Sequence, residues 1–534
     1  MDWYALCCKG VVSLSHTIIH IITPESVHCD RLFILLKDGD NMSTISIKNL
    51  SFAYNGQDLL FDNVSLSLDS QWKLGLLGRN GRGKTTLLNI IQGKLDYSGK
   101  ISANIDFEYF PQIISDKENL TLYAIQDKFH VEQWELEKEF SQLQLDPKVL
   151  WQPFNTLSGG EQTKVLLALA FKNKNSFVLL DEPTNHLDAH TRQQVATYLN
   201  NKKQGFIITS HDRDFLNQVI DHTLVIEAQN IRLQQGDYAR YEEQKAIEDK
   251  SNLAQNEKLK RSISQLKTSA AQKKNWARSA EREKENNSHA DKGFITAKAA
   301  RVMKRSTTMQ KRIESQIKDK EGLLTNIETI TPLSINFQAS HHQDILNVEK
   351  LTLAYPGYDS LFKPISFNLK QGQQVVLKGD NGSGKSSLIR AILKQDDIKI
   401  IEGNISLASN LKISYLQQLE DNNTDNLKQF AEHHHLEYNE LLNILHKLGV
   451  ERNTFTNRIC DLSAGQKKKV FLAKSLLEPA NLYLWDEPLN YLDTFNQDQI
   501  IELIKTYRPT MLIIEHDSRF IDEIDAEVVE LQKL

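Results

Sequence analysis

The sequence predicts an α/β protein in which one type of domain occurs twice, each copy built on a largely parallel sheet flanked by helices. At 534 residues the chain is too long for a single core. A set of motifs recurs at nearly constant spacing, with Lys84 and Lys385 lying 301 positions apart. His211 and His516 lie 305 apart. Short apolar runs, such as 206–209, lead into turns and then helical stretches, which is the alternation of a parallel sheet.

The repeat sets the expected domain boundaries. We expect a first copy over residues 42–240 and a second over 341–534, each opening with alternating apolar residues typical of an edge strand. Between them, residues 241–340 are charged and poor in Gly, and apolar residues at 4-3-4 spacing predict two pairing helices. Residues 1–41 hold three of the four cysteines and precede the first strand-like run, so we expect this leader to lie outside the fold.

Composition narrows the possible classes of protein. Four cysteines in 534 residues exclude a disulfide framework and suit a reducing cytoplasm. No stretch approaches the roughly 18–20 apolar residues of a spanning helix, so we expect a cytoplasmic protein that does not itself carry solutes across a membrane.

The net charge of −5 conceals a segregation of charge. Residues 257–312 hold 16 Lys or Arg against 5 Asp or Glu, a net of +11, which leaves −16 for the rest of the chain. A solvated coiled coil is one interpretation; the other is a basic hairpin tip near 279–294 that contacts a polyanion, for which we expect RNA. The candidate contact residues are Trp276, Arg278, Arg282, Lys284, Lys292 and Phe294.

Two glycine-rich segments fit the phosphate-loop pattern G-x-x-x-x-G-K-[ST], and each follows a strand and precedes an apolar helix. In this pattern, backbone N–H groups surround the phosphates, the lysine reaches the β and γ oxygens, and the following hydroxyl holds Mg²⁺. The predicted nucleotide-binding residues are Gly78, Asn80, Gly81, Gly83, Lys84, Thr85 and Thr86 in the first copy and Gly379, Asn381, Gly382, Gly384, Lys385, Ser386 and Ser387 in the second.

Paired carboxylates end an apolar strand in each copy, Asp181-Glu182 in the first and Asp486-Glu487 in the second. The aspartate suits Mg²⁺ through water, and the glutamate can orient or deprotonate an attacking water. An Asp-Glu pair at a strand end is usually a solvated turn, but here a phosphate loop lies upstream each time. We therefore predict two sites of ATP hydrolysis.

Further motifs resemble those of ATP-binding cassette ATPases. The segments from Leu157 and from Leu462 look like the signature motif, and Asp188 and Asp493 resemble the D-loop aspartates. The resemblance assigns signature roles to Ser158, Gly159, Gly160, Ser463, Ala464 and Gly465. It assigns catalytic roles to the Q-loop residues Gln112 and Gln418, to the switch residues His211 and His516, and to Glu182 and Glu487. It places Tyr54 and Tyr355 against adenine. It implies ATP as cofactor and Mg²⁺ held, partly through water, by Thr85, Ser386, Gln112, Gln418, Asp181 and Asp486.

Two such copies joined by a charged helical segment are similar to the ABC-F proteins. Ala464, Leu489, Glu515 and the segment 299–306 resemble the antibiotic-resistance members of the Lsa, Sal and Vga type. This implies a monomer whose copies close head to tail and which enters the tRNA exit site of the ribosome. There its hairpin would displace tRNA and reach 23S rRNA near the peptidyl-transferase centre. The implied drugs are lincosamides, pleuromutilins and streptogramin A.

Three alternatives remain open. A housekeeping ABC-F translation factor often carries an arm inserted in the first copy, but the distance from Gly78 to Ser158 is 80 positions against 84 from Gly379 to Ser463. An ATPase subunit of a transporter would leave the basic hairpin unexplained. In DNA-repair ATPases the coiled coil typically interrupts a copy, whereas here it lies between two copies.

Overall fold

A computed structural model describes residues 13–14, 17–18, 44–56, 58–185, 187–286, 292–322, 331–395, 398–418 and 423–533. The chain forms two compact units, Met1–Met42 and Ser43–Leu534. In the first unit, strands β1 (Ser13–Leu14) and β2 (Thr17–Ile18) form an antiparallel pair. Most of the expected leader lies outside the described residues, so its exclusion from the fold stays a prediction.

The first copy contains a three-stranded antiparallel sheet and a six-stranded sheet. Its strands are β3 (Thr44–Phe52), β4 (Phe61–Asp69), β5 (Lys73–Leu77), β6 (Ser98–Ser102), β7 (Asp106–Phe110), β8 (Ser176–Asp181), β9 (Phe206–Thr209), β10 (His222–Glu227) and β11 (Asn230–Gln235). The antiparallel sheet has the order β4-β3-β6. The larger sheet has the order β11-β10-β5-β9-β8-β7, in which every pair except β10 with β11 is parallel.

Helices cover this larger sheet. They are α1 (Lys84–Ile91), α2 (Thr121–Gln126), α3 (Gln133–Leu143), α4 (Gly159–Ala170), α5 (Ala189–Asn201) and α6 (Arg213–Val219), with 3-10 turns at Pro147–Trp151 and Phe154–Thr156. The sequence of strand β8 is continuously apolar from Phe177 to Leu180 because both faces of the strand are buried. Phe177 and Leu179 pack into the core that contains α1 and the antiparallel sheet, whereas Val178 and Leu180 pack into the core that contains α3, α4 and α5. A strand buried on both faces needs apolar residues at every position.

Two long helices lie between the copies in the sequence and form a hairpin. They are α7 (Tyr238–Asn286) and α8 (Lys292–Gly322). The 49 residues of α7 correspond to about 74 Å of helix. Lys267 Nζ donates to Glu321 Oε1 at 3.0 Å and Lys320 Nζ to Ser262 Oγ at 2.6 Å, so the last turn of α8 packs against the middle of α7.

The second copy repeats the arrangement. Its strands are β12 (Asp344–Ala354), β13 (Ile365–Lys370), β14 (Gln374–Lys378), β15 (Lys399–Leu407), β16 (Ile413–Leu416), β17 (Leu482–Asp486), β18 (Met511–Ile514) and β19 (Glu527–Glu530). Its helices are α9 (Lys385–Ile392), α10 (Leu427–His433), α11 (Tyr438–Lys447), α12 (Ala464–Leu477), α13 (Thr494–Tyr507) and α14 (Ser518–Glu523), with 3-10 turns at Arg452–Thr456 and Ile459–Asp461.

The sheets of the second copy have the orders β13-β12-β15, antiparallel, and β16-β17-β18-β14-β19, parallel. The predicted fold class, two α/β domains joined by long helices, is confirmed. None of the helices in the described part of the chain combines the length and apolar character that a membrane span requires.

Candidate functional site

The two phosphate loops have nearly the same backbone. Gly83 and Gly384 lie at φ 92° and 90°, in the left-handed region that glycine tolerates, immediately before α1 and α9. A side chain at Gly83 would also meet Leu60, because an added Cβ would lie 2.6 Å from its Cδ2. Each helix therefore begins with its free N–H groups directed into a tight loop, which is the arrangement that binds phosphate.

The loop lysines fold back over these loops. Lys84 Nζ donates to the Gly78 carbonyl at 2.7 Å and to Asn80 Oδ1 at 3.1 Å. Lys385 Nζ donates to the Gly379 carbonyl at 2.7 Å. Burial lowers the pKa of both ammonium groups, with nearby carboxylates acting against this shift. Both lysines are thus held where a phosphate chain would replace backbone carbonyls as their partner.

The first copy places its carboxylates beside its loop. Asp181, at the end of β8, accepts hydrogen bonds from Thr85 Oγ1 at 2.8 Å, Thr209 Oγ1 at 2.7 Å and the Tyr109 hydroxyl at 3.0 Å. The next residue, Glu182, lies with Oε1 3.2 Å from the Nε2 of His211. Burial raises the pKa of Glu182 to about 7 and lowers the pKa of His211, which keeps that imidazole neutral near pH 7.

The Q-loop glutamine of the first copy lies at the same edge of the sheet. Gln112 follows β7, which pairs in parallel with β8, so it leaves the sheet beside Asp181. Both amide atoms of Gln112 are buried without a hydrogen-bond partner among the described residues. A hydroxyl, a carboxylate and an unpaired amide oxygen are the oxygen ligands that Mg²⁺ takes together with water. The residues present therefore fit the ion that the sequence predicts.

In the second copy, the glutamate after the strand, Glu487, has different hydrogen-bond partners from Glu182. Glu487 Oε2 accepts from Gln418 Nε2 at 2.5 Å and from Asn490 Nδ2 at 2.6 Å. Ser386 hydrogen-bonds with Asp486, whose pKa is nevertheless raised by burial. Burial lowers the pKa of His516 to about 4, so this imidazole is neutral as well. The same residue types meet at both sites, but their hydrogen bonds differ.

The copies also differ in the buried side chains that lie behind these groups. In the first copy, the hydroxyls of Thr184 and Ser210 are 2.7 Å apart. At the repeat-related positions of the second copy, the buried carboxylate of Glu515 accepts from the backbone N–H of Leu489 at 3.1 Å. Both Leu489 and Glu515 were singled out in the sequence. The structure shows that these two differences compensate each other, because the carboxylate of Glu515 bonds to the backbone of Leu489 where the second copy lacks the pair of hydroxyls.

The sequence motifs did not identify Lys468. Its Nζ is fully buried and donates to the Asp486 carbonyl at 3.2 Å and to the Gln417 and Gln418 carbonyls at 3.4 Å. This one ammonium group thereby links α12 to the Q-loop and to the end of β17. Comparison of the two copies could have revealed it, because the offset of 305 places Thr163 at the matching position.

The signature residues cap helices. Ser158 precedes α4 and pairs with Glu161 in a capping box, and Ser463 precedes α12 and pairs with Gln466 in the same way. A cavity of about 890 Å³ is lined on one side by Lys84, Thr85 and His211 of the first copy. Its other side consists of Ser463, Ala464 and Gly465 of the second copy. The N-terminus of α12 thus faces the phosphate loop of the opposite copy.

The D-loop aspartates hold the copies together at their phosphate loops. Asp493 Oδ2 accepts from the backbone N–H of Asn80 at 2.9 Å, and Asp188 Oδ2 accepts from that of Asn381 at 3.2 Å. The Asn80 side chain also donates to the Tyr491 carbonyl at 3.1 Å. The contacts are reciprocal, as expected for a head-to-tail pair of copies.

The two tyrosines predicted at the adenine lie beside the loops. The Tyr54 hydroxyl is 3.0 Å from Thr86 Oγ1, and the Tyr355 hydroxyl is 2.9 Å from Ser387 Oγ. Tyr54 also lines the cavity and is 43% exposed, which leaves a ring face available for stacking. The predicted hairpin contacts were Trp276, Arg278, Arg282, Lys284, Lys292 and Phe294, and the side chains of these six lie outside the described residues.

Comparisons with known proteins agree with this geometry. The profile of the family described as ABC transporter matches residues 61–185 and 362–490, one match in each copy. The erythromycin resistance ATP-binding protein MsrA of Staphylococcus epidermidis is 30% identical over 496 residues, spanning 88% of this chain and 95% of that protein. The chain belongs to the ABC-F family of ATP-binding cassette proteins. The expected ATP binding and ATPase activity are thereby confirmed.

Other proteins match this ABC-F chain over most of its length. The ribosome protection protein VmlR of Bacillus subtilis is 27% identical over 490 residues, covering 90% of this chain and 85% of that protein. A solved structure of the archaeal ribosome recycling factor aABCE1 with the ribosomal stalk protein aP1 aligns with a TM-score of 0.58 at 17% identity, covering 90% of this chain and 87% of that one. This structural likeness supports the fold of the ABC-F chain.

Proposed function

We propose that this ABC-F ATPase binds the ribosome through its hairpin and protects it from antibiotics that act at the peptidyl-transferase centre. The observation that carries the proposal is the placement of the hairpin. A helix of 49 residues starts directly after the first copy, and the two copies share an ATP-site cavity. The relatives named for ribosome protection and for erythromycin resistance support this direction.

The proposed chemistry uses the groups that meet at the cavity. ATP lies with its phosphates on the N–H groups of the loop before α1, with Lys84 bound to the phosphates and Tyr54 against the base. Bound Mg²⁺ would be held by Thr85, Asp181 and Gln112, and it neutralises charge that develops on the phosphates. Glu182, which lies beside Asp181 and His211, takes a proton from the attacking water.

Closure follows from the same geometry. Ser463 and the N–H groups at the start of α12 reach the γ-phosphate from the opposite copy, so ATP stabilises the paired state and hydrolysis weakens it. The second site has the corresponding groups, with Lys385, Ser386, Asp486, Gln418 and Glu487 in the same roles. Ser158, Gly159 and Gly160 complete that site from the first copy, and His516 and Tyr355 flank it.

In the paired state, the hairpin occupies the tRNA exit site and extends toward the peptidyl-transferase centre. Helix α7 is about 74 Å long, which is the greatest reach it could give the hairpin. Its basic side chains bind phosphates of 23S rRNA and tRNA without reading their sequence. The tip, near residues 279–294, then displaces tRNA and shifts the RNA of the drug site. Lincosamides, pleuromutilins and streptogramin A are the proposed drugs.

Two variants test the proposal. Glu182→Gln with Glu487→Gln keeps ATP binding but removes both proton acceptors, so we expect loss of ATPase activity and accumulation on ribosomes in sucrose gradients. Glu118→Gln with Glu402→Gln, at two exposed positions away from the cavity, is the matched control. Unchanged ATPase activity in the first variant would remove these glutamates from catalysis.

The hairpin is tested by replacing residues 279–294 with a short Gly-Ser loop and measuring drug susceptibility of a sensitive host. We expect basal ATPase activity to remain and protection to disappear. If the intact chain binds ribosomes without protecting against any of the three drug classes, the result favours a housekeeping ABC-F translation factor. If it sediments with membranes and not with ribosomes, it is a transporter subunit.

A further inference from the structure

A cluster of charged side chains connects the first turn of the hairpin to both ATP-site regions. Arg213 lies two residues after His211, and Arg519 lies three residues after His516. Arg213 Nη1 donates to Glu242 Oε1 at 2.9 Å, and Arg519 Nη1 donates to the two oxygens of Glu242 at 3.1 and 3.2 Å. One carboxylate at the base of α7 therefore receives an arginine from each copy.

The first arginine also reaches across to the second copy. Arg213 Nη2 donates to Asp498 Oδ1 at 2.7 Å and to the Thr494 carbonyl at 2.9 Å, both in α13. That helix is capped by Asp493, the residue that accepts from the loop amide of Asn80. The buried guanidinium thus joins the helix after one switch histidine, the helix after the opposite D-loop and the base of the hairpin.

The second arginine is fixed within its own copy. Arg519 Nε donates to Glu523 Oε1 at 2.8 Å, and Lys505 Nζ donates to Glu523 Oε2 at 2.7 Å. With Glu242, Asp498 and Glu523 against Arg213, Arg519 and Lys505, the cluster balances three carboxylates with three cations. Removal of the Glu242 charge would leave two guanidinium groups facing each other.

The cluster does not repeat at the other interface between the copies. At the offset of 305, Arg213 corresponds to Ser518, and Arg519 corresponds to Asp214. Asp498 corresponds to Gln193. The charges are therefore specific to the side from which α7 emerges, which points to a role in the hairpin and not in the general pairing of the copies.

We propose that Glu242 is a positioning residue that transmits pairing of the two copies to the hairpin. When the copies are paired, Arg213 and Arg519 both reach its carboxylate and fix the first turn of α7 against both copies. When the copies separate, Arg213 and Arg519 move apart with their helices. Glu242 then stays bound to one of the two arginines, so the base of the hairpin follows a single copy. The inference rests on the proposed function in one respect, that ATP drives the pairing.

Double electron–electron resonance on the full chain tests this coupling. Its four native cysteines are replaced by serine, and Glu182→Gln with Glu487→Gln traps the ATP-bound state. One label pair, at the exposed positions Lys260 and Glu402, reports the hairpin relative to the second copy. A second pair, at the exposed positions Lys100 and Glu402, reports the pairing of the copies.

We expect ATP to change both distances in the parent chain. Glu242→Gln should leave the ATP-dependent change between the copies but abolish the narrowing of the hairpin distance distribution that ATP causes in the parent chain, because the base of the hairpin then follows one copy only. Arg519→Gln breaks the same contact from a half-exposed position and should have the same effect. The control, Glu243→Gln, alters the exposed neighbouring residue and should behave as the parent chain.

A hairpin response retained in both Glu242→Gln and Arg519→Gln overturns the coupling while leaving the proposed function intact. A parent chain whose copies do not approach each other with ATP overturns the proposed function and the coupling together. The combined Glu242→Gln and Arg519→Gln variant separates coupling from simple destabilisation, because two changes that break one contact should cause no greater loss of response than either alone.

Discussion

Asp493→Asn should weaken pairing of the two copies without unfolding the helix that it caps. Asp493 Oδ1 accepts from Asn496 N at 2.9 Å and caps α13, and an asparagine oxygen can keep that bond. Oδ2 accepts from Asn80 N in the opposite phosphate loop at 2.9 Å, and the amide NH₂ of asparagine would place a donor against this donor. Hydrogen bonds to a buried charged group contribute roughly 1.5–3 kcal/mol, which corresponds to about a 10- to 150-fold change in an equilibrium constant.

We therefore expect Asp493→Asn to raise the ATP concentration for half-maximal ATPase activity by about tenfold or more. Asp188→Asn should have a smaller effect, because its bond to Asn381 N is longer, 3.2 Å, and Asp188 is less buried. Asp146→Asn, at an exposed position that caps a 3-10 turn of the first copy, is the control. ATP titrations of the three variants that superimpose on that of the parent chain would refute this reasoning.

Two further predictions concern stability. Burial raises the pKa of Glu515 from 4.5 to about 7, so the folded chain retains a proton that the unfolded chain releases, and stability falls as pH rises through this range. Glu515→Gln keeps an oxygen for Leu489 N but places its NH₂ against the His516 N–H that Oε2 accepts, which costs a constant amount of stability. Because glutamine does not titrate, the stability of the variant relative to the parent chain should rise by up to about 3 kcal/mol between pH 5 and pH 8 in thermal unfolding; a pH-independent difference would contradict this. Lys202→Met should destabilise the first copy by about 3–5 kcal/mol in urea unfolding, since it removes the cation that pairs with the buried carboxylate of Glu139 and leaves that carboxylate with the Tyr198 hydroxyl; a loss below about 1 kcal/mol would show that the ion pair is dispensable.

Local sequence was sufficient to predict the fold class and the groups that meet at each site. The phosphate loops and carboxylates are short patterns whose geometry depends on neighbouring residues, such as Gly83 in the left-handed region before α1. The strand orders depend on pairing between distant segments, so the sequence did not provide them.

Contacts between the copies were harder to predict. Arg213, Glu242 and Arg519 carry no motif, and 277 positions separate Glu242 from Arg519. Lys468 was missed for a related reason, since a lysine in an amphipathic helix is ordinarily solvated and nothing in its neighbours indicates burial. Alignment of the two copies is informative here, because a charge that occurs in only one copy marks a place where the structures must differ.

These differences make the two ATP sites chemically unequal although their principal groups are the same. Glu182 lies beside a neutral imidazole, whereas Glu487 is bound by two amide groups. The second site also has Lys468 and Glu515 buried behind it, where the first has the neutral Thr163 and Ser210. The ammonium of Lys468 opposes the rise that burial causes in the pKa of Asp486, and Thr163 supplies no such charge at the first site. Repeat-related substitutions should therefore differ in effect, and the charged cluster at Glu242 adds a third asymmetry, because it joins the hairpin to only one of the two interfaces.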